Sequence, residues 1–169
     1  MSHAKNKVDW CLKKAEREKE EDKMHRGLIK IELDKEEVRK HITKAEHNLS
    51  AIEYFDKGDF SDWSMSAVFY CIYHCFLAIG LNFGYESRNQ ECTIALIKHL
   101  KEQKEIDIDD RFIKALEIHE EKERHETNII EKRELYTYGT TISADKNEIE
   151  KSIQFCKECL YQTRRIVFE

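Results

Sequence analysis

Arg133, Tyr136 and Tyr138 stand close together just before Gly139, and Arg124 and His125 precede Arg133 by less than three helical turns of chain. A guanidinium grips a phosphate bidentately, and a phenol stacks on a base or supplies a hydroxyl, so this stretch suits a nucleotide or an RNA end. The competing structural use is Arg133 in a salt bridge and Tyr138 packing a loop. Arg133, Tyr138, Tyr136, Arg124 and His125 are therefore the candidate ligand-binding residues.

Two other groupings resemble chemistry. Cys156-Lys-Glu-Cys159 has the spacing of a metal knuckle or redox pair, and Cys71, His74 and Cys75 would complete a zinc sphere from a neighbouring helix. All of them fall in stretches patterned as regular helix, where cysteine serves as a small core residue, so no metal is assigned. A thioredoxin-like pair also needs a preceding strand and an exposed helix N-terminus, neither of which is signalled here. His74 sits among Phe69, Tyr70, Tyr73 and Phe76, and reads as a core histidine with one satisfied hydrogen bond, supporting the site from within. No Gly-rich phosphate loop, Walker lysine, GxSxG elbow or HExxH helix occurs. Conventional nucleotide hydrolases and zincins are not expected on that ground, and no cofactor is expected.

The elements that must position these residues are helices. The chain has no proline and five glycines in 169 residues, so the usual punctuation of strands and long loops is nearly missing. Charged residues make up 37% and apolar ones 40%, which fits helices with one buried and one solvated face. Residues 4 to 23 carry an apolar face only in their first half and read as a helix that frays or projects; residues 28 to 33 read as an extended linker. Asp34 with Glu37 resembles a capping box before an amphipathic run that ends at Gly58. From Trp63 to Tyr85 there is no Asp, Glu, Lys or Arg, so this helix must be buried on nearly all sides. Apolar stripes over residues 90 to 103 and 109 to 130 give two more helices. Asp145 with Glu148 starts a last one through Ile149, Ile153, Cys156, Leu160 and Val167. The expected fold is all-α: an antiparallel up-and-down bundle of about five helices over residues 34 to 169, with an N-terminal helical extension over residues 1 to 33.

The net charge of −5 argues against a whole-domain grip on nucleic acid and leaves room for a local basic patch. The uncharged helix approaches the length of a membrane span, but Ser64, Ser66, His74 and Asn82 dilute it and no basic flank sets a topology, so no membrane is expected. With no apolar leader, the six cysteines read as reduced thiols in a cytoplasmic protein.

Three pieces in order, Ala45-Glu-His-Asn-Leu49, Phe69-Tyr70 with His74, and Arg133 with Tyr138-Gly139, resemble the HEPN family of small helical proteins of bacteria and archaea. The resemblance covers roughly residues 35 to 168. It implies a homodimer, often encoded and bound with a small nucleotidyltransferase acting as antitoxin. It also implies, in many members, a metal-independent ribonuclease whose Arg and His, separated by four to six residues, meet at the dimer interface. This chain departs from that spacing: Arg17, Arg39 and Arg111 precede His25, His47 and His119 with seven residues between in each case. Eight helical steps turn the second side chain roughly 80° away and about 12 Å along, so the two groups no longer share a face. The expectation is thus a HEPN-type homodimer of a toxin-antitoxin or related system that binds nucleotide or RNA. Two alternatives stay open: a non-catalytic protein-interaction module using segment 1 to 33 as its docking arm, and a ribonuclease with an unconventional site such as Arg111 with His119.

Overall fold

The computed structural model describes residues 2–117 and 129–169. Its order is α1 (His3–Glu20), β1 (Leu28–Lys30), α2 (Lys35–Lys57), a 3-10 turn (Ser61–Trp63), α3 (Ser64–Asn82), β2 (Tyr85–Ser87), α4 (Gln90–Glu102), α5 (Asp110–Ala115), α6 (Ile129–Tyr138) and α7 (Lys146–Phe168). The fold is all-α apart from the small β1–β2 pair, in agreement with a helical bundle.

Short polar side chains set where the helices start. The Asp34 carboxylate accepts from the amides of Glu36 and Glu37, and Asp145 does the same for Asn147 and Glu148. Each satisfies orphan donors of a first turn. Ser2, Asn89 and Asp109 cap α1, α4 and α5 in the same manner. The second capping box is not closed, because the Glu148 carboxylate turns instead to Lys132 and to Tyr136.

The core is built around α3. It packs on α2, α4, α6, α7 and β2, and Met65, Ile72, Phe76 and Ile79 are fully enclosed. A stretch without charge can be surrounded this way because no ionised group has to be desolvated. Residues Ser61–Asn82 have the length and apolarity of a membrane span, and most of them are buried inside the protein. Burial is not complete, however. Along one face Trp63 and Tyr70 are exposed, and Ser66, His74 and Leu77 are partly so.

The N-terminal segment differs from the expectation of a fraying or projecting helix. α1 lies on α4 with Ala4, Val8, Cys11 and Ala15 buried, and a disulfide joins Cys11 to Cys92. The expectation of six reduced thiols is corrected for this pair; Cys71, Cys75, Cys156 and Cys159 are free and buried. Residues 28–30 are a strand rather than a linker. β1 runs antiparallel to β2, with Leu28 opposite Ser87, Ile29 opposite Glu86 and Lys30 opposite Tyr85. Gly27 allows the approach: a Cβ there would stand 2.3 Å from the carbonyl oxygen of Cys11. One further boundary moves. The expected helix over 109 to 130 ends at Ala115, with Leu116 as its C-cap, and α6 begins separately at Ile129.

Candidate functional site

α6 packs against α3 and the 3-10 turn, and this contact places Arg133. Its guanidinium carbon stands 4.2 Å from the centre of the Phe69 ring, a cation–π contact. Phe69 meets Tyr70 edge-on and stacks with Tyr73. Arg133 is half-buried and has no carboxylate partner among the described residues. Lys132 beside it is neutralised by Glu148 at 2.6 Å. A partly desolvated guanidinium whose donors are not claimed by any described residue keeps its capacity for bidentate binding of a phosphate or carboxylate.

The remaining sequence candidates are dispersed. Tyr136 donates its hydroxyl to Glu148 at 3.3 Å, and burial, with Glu148 and Asp145 adding, pushes its phenol above the ordinary value. Tyr138 is 85% exposed. Five helical steps separate it from Arg133, which is roughly 140° around the helix, so the two do not converge on one ligand atom within a chain. Arg111 is held by Asp109, the N-cap of its own helix, at 2.9 Å and by Glu158 at 3.0 Å, and the second of these fastens α5 to α7. His119, Arg124 and His125 lie outside the described residues.

α3 and α7 bring the free cysteines together in a dry seam. Cys71 contacts Cys75 and Cys156, while Cys75 contacts Cys159, and all are fully buried. Burial pushes the Cys159 thiol up, away from nucleophilic character. Among the described residues no group of three or more His, Cys, Asp and Glu side chains is arranged to hold a metal ion.

His74 is half-buried rather than enclosed, and its partner was missed by sequence reasoning. The Nδ1 atoms of His41 and His74 are 2.8 Å apart and the rings stack with centroids 5.1 Å apart. A signal existed: His41 follows Val38 by three positions and adjoins Ile42, so it lies on the apolar side of α2. Burial lowers His41, with Glu37 opposing; burial, with His41 and Lys44 adding, brings His74 down to about 4. Because the folded value of His74 lies below its unfolded value near 6.5, the neutral ring favours folding. That contribution is whole above about pH 6.5 and is lost as pH falls toward 4. Discounted for the water that reaches the ring, it is about 1 kcal/mol. Urea midpoints at pH 7 and pH 5 should therefore diverge more in the native chain than in His74→Gln; an equal drop in both refutes the linkage.

No curated protein matches the chain. The HEPN domain model matches residues 38–166, from the first turn of α2 to the last turn of α7. That span includes Arg133 with its aromatic bed and the His41–His74 pair, and covers most of the 169 residues, so the chain belongs to the HEPN domain family.

Proposed function

We propose that this HEPN-type protein acts as a homodimer that binds the phosphate of a nucleotide or RNA at Arg133, as a component of a toxin-antitoxin or related system. The observation that carries the proposal is the half-buried Arg133 guanidinium, bedded on Phe69 with no described carboxylate to neutralise it. Phosphate is the anion that best uses such a fork, and Tyr70, 45% exposed, offers a face for a base.

Homodimerisation is supported by a rim of apolar side chains beside this site. Phe60, Trp63, Leu135, Tyr138 and Ile142 are all more than half exposed, on elements that adjoin around the 3-10 turn. Exposed apolar groups gathered in this way mark interaction surfaces. In a dimer across this rim, Tyr138 of one chain approaches the other chain's site, which gives it a role it lacks within a single chain. A cytoplasmic setting and a nucleotidyltransferase partner remain part of this proposal on the strength of family membership alone. The interaction-module reading has less behind it, because α1 is folded onto α4 and β1 is paired with β2, so neither is a free arm.

The test uses purified protein with labelled tRNA and a labelled single-stranded oligoribonucleotide. Arg133→Ala should weaken binding at least tenfold, about 1.4 kcal/mol, without changing helicity. Light scattering on the same samples should return twice the 20.2 kDa chain mass. Equal affinity in both proteins removes Arg133 from the site, and a single-chain mass removes the dimer.

A further inference from the structure

The His41–His74 contact joins α2 to α3, and only some protonation states allow it. A hydrogen bond between two imidazole nitrogens needs a proton on one and a lone pair on the other. With both rings neutral and the Nδ1 atoms 2.8 Å apart, the donor ring has a bare Nε2 and the acceptor ring carries its proton on Nε2. One further proton fits on the bare Nε2, and the bond stays in place as a charge-assisted one. A second has no site except the acceptor's Nδ1, the atom that receives the bond. Two N–H groups then face each other on two cationic rings, and the contact turns repulsive.

The surroundings decide which ring takes the first proton. On α2, Glu37 stands one turn before His41 and favours its charged form, although Lys40 shares that carboxylate. Lys44, also on α2, opposes charge on His74, as does His41 itself. From β2, Glu86 lines a small hollow together with His41, but it is already engaged by Arg88 and His25. α3 brings no charge to the pair; Tyr73 meets the His74 ring edge-on. The first proton therefore goes to His41. His41 is the donor of the bond, and His74 is the acceptor with its own proton on Nε2.

We infer that His41 and His74 form a proton-counting latch between α2 and α3, closed with no added proton or with one, and open with two. Opening is local, because Val38, Ile42 and Ala45 keep α2 seated by buried apolar contact that carries no charge. The charged His41 ring turns toward Glu37, its carboxylate neighbour on the same face of α2. It then no longer walls the hollow floored by Phe76, Leu77, Gly80 and Leu81, and water enters there. The latch answers to acid and not to ordinary fluctuations around neutrality, since burial holds His74 uncharged down to about pH 4. It makes no use of Arg133 and stands whether or not that residue binds phosphate.

The test follows the histidine ring nitrogens of the full chain by NMR from neutral pH to below pH 4, with amide exchange and far-UV helicity on the same samples. At neutral pH a coupling across the hydrogen bond should link the two Nδ1 atoms, with the His74 proton on Nε2. His41 should charge first with that coupling retained. As His74 charges, the coupling should vanish and amide protection should fall in the first turns of α2, while helicity is kept. His74→Gln offers His41 an acceptor but takes up no second proton, so its α2 protection should hold through the same range. His41→Gln should raise the pH at which His74 charges, because a like charge has been removed. No coupling at neutral pH, coupling that survives with both rings charged, equal loss of α2 protection in His74→Gln, or collapse of overall helicity in step with the opening overturns the latch.

Discussion

Replacing Cys11 and Cys92 together by alanine should lower stability by about 4 kcal/mol in the chain-entropy account of disulfides, because the bond spans 81 residues of sequence. The loss falls mainly on the denatured ensemble, which regains the conformations that the cross-link forbids. The folded chain retains other fastenings for α1: the buried faces of Ala4, Val8 and Ala15, and the ion pair of Lys7 with Glu91. The variant should therefore fold with α1 in place and show a lower urea midpoint. A reducing agent should bring the native chain to the variant's midpoint. If native and variant chains unfold at the same urea concentration without reductant, the two sulfurs are not joined in solution.

The second large effect is expected at Phe76. Its side chain is fully enclosed near the middle of α3, a helix surrounded by α2, α4, α6, α7 and β2. With neighbours on so many sides held by their own packing, little can move into the space that a deleted ring leaves. Phe76→Ala should cost about 3–5 kcal/mol, made up of lost transfer energy and the residual cavity. Leu at this position keeps most of the volume and should cost much less. Denaturant unfolding at neutral pH separates the two; equal midpoints for Ala and Leu would show that the ring is not closely packed.

The parts of the fold legible in the sequence are those with local causes. α2 and α7 could be read because Asp34 and Asp145 stand before long three-and-four apolar spacings, and α3 because an uncharged run of that length has few other uses. The docking of α1 was not legible. Its determinants are Cys92, far along the chain, and a three-residue strand whose partner lies beyond both α2 and α3. Such pairings leave no periodic trace. The same holds for the candidate site. Arg133 could be singled out by residue type and neighbourhood, yet its bed on Phe69 depends on how α6 meets α3. His41 and His74 are each visible as histidines on helices, but their pairing depends on the register of α2 against α3, which no single-helix pattern contains. Tyr138 was grouped with Arg133 by proximity in sequence, and helical geometry separates them.

The uncharged α3 has one more consequence, and it concerns synthesis. A ribosome completes Ser64–Asn82 well before it reaches Lys146–Phe168, the helix that covers Cys71 and Cys75. For that interval the nascent chain presents an apolar segment long enough to be mistaken for a membrane span, with no charged residue inside it to discourage contact with other chains. The burden of keeping it apart falls on α2, which precedes it and forms its most extensive packing partner, so the order of helices in the gene shields the most vulnerable one from the side made first.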